Sequence, residues 1–217
     1  MKNIILVLLL SFSSNLLSAQ HSLSITGGWT FSTFYKVGTK EALKASSYYA
    51  DLYEFTPFHT LNINVKYEYT HQSFRLSTGL SLLSIGSNDY FFEGFENVYM
   101  YLTVPVLFGY KKDFSKDISL VIEGGAEAGP SLANVGSVVN LAKRGQTRYY
   151  IGLIFGVEGK YRRFSLGARF HLGLNDFEKE YFNKEKDVMY LKHIGGTIYL
   201  GYTIWDSSRV KKRNKKK

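Results

Sequence analysis

The sequence predicts an all-β fold, an eight-stranded antiparallel up-and-down transmembrane β-barrel. Three observations carry that prediction. Eight segments alternate apolar and polar residues with a period of two, which is strand and not helix periodicity. The connections between those segments alternate between short and long, as in a meander whose last strand returns beside its first. Charges of both signs share a face with most of the glycines, while the opposite face carries no charge over any central span.

The segments follow in chain order. Met1-Lys2, the apolar run from Ile4 to Leu10 and the small residues Ser18-Ala19 read as a secretory signal peptide over residues 1–19, a Sec-type export signal, with a mature chain from Gln20. The first strand alternates Leu23, Ile25, Gly27, Trp29 and Phe31 with small polar residues. Tyr35 to Pro57 reads as a long polar loop. The second strand sets Leu61, Ile63, Val65, Tyr67 and Tyr69 against Asn62, Asn64, Lys66 and Glu68, and turns through His71-Gln72-Ser73. The third sets Phe74, Leu76, Thr78, Leu80 and Leu82 against Arg75, Ser77, Gly79 and Ser81, before a loop from Ser87 to Asn97.

The fourth strand, Val98 to Tyr110, is longer than a typical globular strand, with Met100, Leu102, Val104, Val106, Phe108 and Tyr110 on one face. At about 9–11 residues per tilted crossing, it is long enough to span a bilayer. Pro105 within it cannot donate to a ladder, so a bulge or a locally broken ladder is expected there. Lys111 to Lys116 turns the chain into the fifth strand, Ile118 to Ala128, and Ser131 to Gln146 is again a long loop. Tyr149 to Lys160 forms the sixth strand, Arg162-Arg163 the next turn and Phe164 to Leu172 the seventh strand. Asn175 to Tyr190 reads as a loop before the eighth strand, which carries Ile194, Ile198, Leu200, Tyr202 and Ile204.

Alternation alone does not say which face points inward. Gly79, Gly109, Gly125, Gly129, Gly152, Gly156, Gly167, Gly173, Gly195 and Gly201 fall on the charged face, and small residues in that number suit the crowded lumen of a narrow barrel. Lys66, Glu68, Arg75, Glu158 and Lys160 share a layer near the short turns, Glu123 and Arg169 lie near the middle, and Glu127, Arg148, His171 and His193 lie higher. That arrangement predicts a lumenal ion-pair network. Aromatics supply a separate indication: Tyr67, Tyr69, Phe74, Tyr110, Tyr161, Phe164, Tyr202 and Trp205 flank the short turns or the chain end, and Phe31, Phe34, Phe58, Phe91, Phe92, Tyr99 and Tyr149 flank the long loops. Two such girdles are expected of a barrel with lipid outside.

The chain reads as one domain, the barrel over residues 20–205, followed by a basic tail over 206–217. The formal net charge is +9, but residues 206–217 carry seven Lys or Arg against Asp206, so the basic character belongs to the tail. So charged a run with a single apolar residue is expected to be a disordered periplasmic extension. With no cysteine there is no disulfide framework and no thiolate metal site.

Tyr101-Leu102-Thr103-Val104-Pro105-Val106-Leu107-Phe108-Gly109-Tyr110 resembles the "YLxIPLLxxY" strand of the PorT-like outer-membrane β-barrel family. Gly27-Gly28-Trp29-Thr30-Phe31-Ser32, Gly129-Pro130, Gly152-Leu153-Ile154-Phe155-Gly156 and the run from Phe164 to Asn175 are similar to that family's first, fifth, sixth and seventh strands. The chain departs from the family at Thr103, where such strands often carry an acidic residue, and in continuing past Trp205. The resemblance implies a bacterial outer-membrane location and, by analogy of fold, a link to protein secretion.

A filled polar lumen disfavours a porin, since eight strands enclose a space just wide enough for side chains. The expected role is therefore structural, binding or secretion-accessory, exercised through the extracellular loops by a monomer in contact with outer-membrane lipid and with a periplasmic or extracellular protein partner. Nucleic acid is excluded as a partner by export. No catalytic, cofactor-binding or metal-ligating residue is assigned and no enzyme activity is expected. The alternative is an outer-membrane lipid-modifying enzyme using lumenal His171 and His193, with Thr30 and Ser32 of the first strand approaching His193 across the barrel closure.

Overall fold

A computed structural model describes residues 19–38, 55–89, 95–136, 149–176, 178–182 and 187–208. The expected signal peptide up to residue 18, the outer parts of the first three long connections and the tail from residue 209 lie outside the described residues. Nine strands are present among them: β1 Gln20–Gly38, β2 Phe55–His71, β3 Phe74–Asp89, β4 Phe95–Asp113, β5 Ile118–Gly136, β6 Tyr149–Tyr161, β7 Phe164–Gly173, β8 Glu178–Phe182 and β9 Asp187–Asp206.

Each strand from β1 to β7 pairs antiparallel with the next, β7 pairs with β9, and β9 pairs with β1 from Ser22↔Asp206 to Gly38↔Met189. The sheet therefore closes, and a closed sheet leaves no unpaired edge around its circumference. The barrel has eight staves. β8 is not a ninth: it pairs only with β9, from Glu178↔Leu191 to Phe182↔Asp187, beyond the point where β7 ends at Leu172↔Ile194. It continues the β7 stave as a hairpin above the barrel wall, so the expected loop over Asn175 to Tyr190 contains a strand. The physical reason is the length of the closure, because β9 stays paired with β1 out to Met189 and its other edge is open to pairing there.

The three short connections lie at one end with the chain ends of the barrel. Gln72 and Arg162 open two-residue turns with φ of 53° and 56°, the left-handed backbone that matches a tight hairpin to the strand twist. In the turn between β4 and β5 the Ser115 hydroxyl oxygen accepts the amides of Asp117 and Ile118 at 3.3 and 3.1 Å. Gln20 Nε2 donates to Asp206 Oδ1 at 3.1 Å and to Ser208 Oγ at 2.9 Å, so the seam holds together slightly past the expected barrel limit at residue 205.

All three prolines sit at ladder irregularities. The β3–β4 ladder skips from Thr78↔Val106 to Ser81↔Thr103 around Pro105, a break without a register shift, as expected of a residue with no N–H. Near Pro130 the β4–β5 ladder skips from Tyr101↔Ser131 to Val104↔Ala128. Between Pro57 and Ile63, β2 carries one extra residue relative to β3.

The outward face is apolar and exposed, including Trp29, Leu61, Leu80, Phe108, Ile122, Phe155, Leu166 and Leu200. β6 illustrates the span: its 13 residues, at about 3.3 Å each and tilted by about 40°, rise roughly 33 Å, enough for the ~25 Å apolar band of a membrane barrel. Facing inward are Lys66, Glu68, Arg75, Glu123, Glu127, Glu158 and Arg169, all buried. Apolar outside and charged inside is the reverse of a soluble barrel. The chain is a closed transmembrane β-barrel of the bacterial outer membrane.

Candidate functional site: the lumen

The lumen is built by strand parity, since every second residue of each stave points inward. Near the short-turn end, Glu158 of β6 accepts from Lys66 Nζ at 2.6 Å, Arg75 Nη1 at 2.9 Å and the Tyr199 hydroxyl at 3.0 Å, with Lys160 Nζ at 3.3 Å. Glu68 of β2 pairs with Lys66 at 2.8 Å and with both Arg75 and Lys160, and accepts the Ser22 hydroxyl at 3.0 Å. Arg75 reaches Glu123 at 3.6 Å, and Arg169 holds the same carboxylate through Nη2 at 2.9 Å and Nε at 3.2 Å. The expected lower and middle layers thus form one network of four cations and three carboxylates linking β2, β3, β5, β6 and β7. Buried charges persist only when paired and hydrogen-bonded, and this network supplies both.

Above it lies a chain of hydrogen bonds. His171 Nδ1 meets Glu127 Oε1 at 2.7 Å, His171 Nε2 meets Thr197 Oγ1 at 3.1 Å, and Thr197 Oγ1 meets Thr30 Oγ1 at 2.9 Å. Thr103 donates to the other Glu127 oxygen at 3.2 Å. The residue at which the chain departs from the PorT-like pattern is therefore a ligand of a lumenal carboxylate. His193 lies apart from His171 in its bonding: its Nδ1 is 3.3 Å from the Tyr150 hydroxyl, and the two rings meet edge-on.

Carboxylate, imidazole and hydroxyl in series is an acid–base arrangement in type. Its geometry does not serve a lipid substrate. Thr30 is 0% and Thr197 4% exposed, the two hydroxyls bond each other, and the chain faces the lumen. Thr30 meets Thr197, not His193, contrary to the expected approach. Ser32 does come alongside His193, as a Cβ on Gly195 would stand 3.1 Å from His193 Nε2 and 3.2 Å from Ser32 Cβ. The Ser32 hydroxyl nevertheless donates to the Gly86 carbonyl at 3.0 Å and accepts its amide at 2.9 Å. Among the described residues no group of three or more His, Cys, Asp or Glu could hold a metal ion. Arg148, expected in the upper layer, lies outside the described residues.

The lumen is filled, but it is not polar throughout. Leu83, Ile85, Tyr99, Tyr101 and Tyr150 are buried inside it toward the long-loop end, with the Tyr101 and Tyr150 rings 5.5 Å apart, and Leu107 and Ile154 are buried lower, on either side of Gly125 in register. Two expectations are corrected here. Tyr99 fills the lumen and does not belong to the upper girdle, and β3 runs past Leu82 so that Leu83 and Ile85 turn inward. Packing a narrow interior to close density takes rings and branched side chains as well as ion pairs. Glycines make the room: a Cβ on Gly167 would collide with the Tyr199 ring, and one on Gly152 with the Tyr150 ring. The register sets a glycine opposite two of the lumenal tyrosines, Gly167↔Tyr199 and Gly129↔Tyr150.

At the short-turn end the lumen opens into a vestibule of about 520 Å³ lined by Gln20, Glu68, Arg75, Lys111, Lys160 and Asp206 among others. Glu68, Arg75 and Lys160 of the ion network form part of its wall.

No protein-family model and no curated protein matches the chain, so the PorT-like resemblance gains no support from either. Among solved structures the chain is similar to Ail, the attachment invasion locus protein of Yersinia pestis, in complex with the heparin analogue sucrose octasulfate. The identity is 16% over 86% of this chain and 99% of that one, with a TM-score of 0.42. Neisserial surface protein A shares 9% identity over 85% of this chain and 99% of its own, TM-score 0.46. The N-terminal β-barrel domain of Pseudomonas aeruginosa OprF shares 9% over 81% and 96%, TM-score 0.30. With scores this low, the strand pairing and the exposed apolar belt carry the barrel assignment and these likenesses do not.

Proposed function

We propose that the protein is an outer-membrane barrel with a sealed lumen that acts through its long-loop end, in a structural, binding or secretion-accessory role, with both ends of the mature chain periplasmic. The observation that supports this reading is the packed interior: the seven-member ion network and the buried aromatic and aliphatic side chains occupy the lumen among the described residues. The interior then serves as a rigid post for surface loops, and the post has no transport to perform. Interaction surfaces belong to loops held on a rigid scaffold. The PorT-like resemblance makes secretion the first place to look for the partner.

The test has two arms. Purified barrel in planar bilayers is expected to give no conductance above the lipid background, and affinity capture from intact cells is expected to recover a partner that is lost when residues 40–53 are replaced by a short polar linker. Steady single-channel conductance would remove the proposal. Hydrolysis of outer-membrane lipid by the purified protein, abolished in His171→Ala or His193→Ala, would replace it with the enzyme reading.

A further inference from the structure

The outer wall carries one feature that a plain lipid belt does not. Between β5, β6 and β7 near the short turns, a groove of about 420 Å³ is lined by Phe114, Ile118, Leu120, Tyr161, Phe164 and Leu166, almost wholly apolar. Its floor is Gly159, which faces outward between Leu120 and Leu166 in register. A Cβ there would meet only the Leu166 carbonyl oxygen at 3.8 Å, so the wall is thinned at this point and nothing fills the gap. Outward Gly124, by contrast, lies beneath Phe155, whose ring would stand 3.2 Å from an added Cβ.

The mouth of the groove is basic. Lys112 projects outward opposite Leu120. Lys116, Arg162 and Arg163 stand on the two neighbouring turns, the arginines next in sequence to the groove's Tyr161 and Phe164, with Lys116 and Arg162 also lining the lumen vestibule. Asp117 sits 3.7 Å from Arg162, and Asp113 is 3.1 Å from Lys111, so the rim keeps a surplus of cations. Arg162 remains 61% exposed beside the Tyr161 ring, and Arg163 Nη1 donates to the Tyr202 hydroxyl at 3.1 Å, at interfacial depth.

We infer that this groove binds an anionic glycerophospholipid of the leaflet at the short-turn end, one acyl chain lying over Gly159 and the phosphate held by Arg162, Arg163 and the neighbouring lysines. The inference rests on the transmembrane reading of the barrel, which puts acyl chains against this face. A groove continuous with the lipid belt is occupied by lipid, and four cations around its mouth select charge.

Native mass spectrometry of the barrel in detergent, titrated with phosphatidylglycerol or phosphatidylcholine, tests it. The expected result is one phosphatidylglycerol retained per barrel in preference to phosphatidylcholine. Arg162→Ser and Arg163→Ser should each weaken that retention by about fivefold, the equivalent of one cation beside an anionic headgroup. Gly159→Leu should reduce it to the phosphatidylcholine level, while Gly27→Leu, which also adds a side chain at an outward glycine with open space, should leave it unchanged. Equal retention of the two lipids by the wild type, or full retention by Gly159→Leu, overturns the inference. Heat-modifiable migration of each variant after insertion into vesicles reports the barrel independently, so failure to insert counts against the transmembrane reading and not against selectivity alone.

Discussion

Replacing Glu158 with glutamine removes the carboxylate at the centre of the ion network while keeping its shape. That side chain is 0% exposed and lies within 3.3 Å of four donors, on Lys66, Arg75, Tyr199 and Lys160. The network holds four cations, Lys66, Arg75, Lys160 and Arg169, against the three carboxylates Glu68, Glu123 and Glu158, so the substitution doubles the buried excess from one positive charge to two. Breaking a buried pair on one side costs about 3–5 kcal/mol, because the remaining charge is left without its partner. Taking about 3 kcal/mol, Glu158→Gln should shift the unfolding equilibrium roughly a hundredfold. Urea unfolding in lipid vesicles, followed by the fluorescence of Trp29 and Trp205, measures it. Lys66→Met should cost at least ~1 kcal/mol less in the Glu158→Gln background than in the wild type, since Lys66 bridges Glu68 and Glu158 at 2.8 and 2.6 Å. A Glu158→Gln cost below about 1 kcal/mol, or strictly additive effects of the two substitutions, would refute the view that the network is a stabilising unit.

Three further outcomes follow from the same geometry. Phe155→Arg, at an outward position in mid-wall, should cost about 2–4 kcal/mol in the same unfolding assay, whereas the same change at a purely solvated surface would cost little. Gly167→Ala should lower the urea midpoint through its collision with the Tyr199 ring, and the loss should shrink in a Tyr199→Ala background, where the ring is gone. Protease applied to intact cells should cleave only within residues 39–54, 90–94, 137–148 or 174–186, and cleavage at Arg162-Arg163 would invert the proposed orientation.

Strand parity is the part of this protein that sequence conveys best. Val104, Val106, Phe108 and Tyr110 all face outward and Lys66, Glu68 and Arg75 all face inward, because a side chain's face depends only on odd or even position once a strand is granted. The partners within the lumen were less accessible. Glu127 meets His171, and Tyr199 meets Glu158, through the stagger of the barrel, which depends on register and tilt and leaves no mark in either strand alone. Tyr99, an aromatic near a strand end, reads as an interfacial anchor, whereas its odd position puts it with Tyr101 on the inner face. β8 was unreadable for another reason: Glu178–Phe182 carries no clean alternation, and its pairing exists only because β9 overshoots β7. The groove over Gly159 was equally hidden, since a glycine in an outward position reads as a weak point until its neighbours are known.

The central claim is that the exposed apolar face meets lipid, and the chain carries its own probe for it. Trp29 projects outward, 64% exposed, between Leu61 and Ile198 in the middle of the wall, and Trp205 is the other tryptophan, near the short-turn end. With Trp205 changed to phenylalanine, the barrel inserted into vesicles carrying bromine at mid-depth on the acyl chains should lose most of its Trp29 fluorescence and resist quenching by aqueous iodide. Bright emission in the brominated vesicles together with strong iodide quenching would contradict the account.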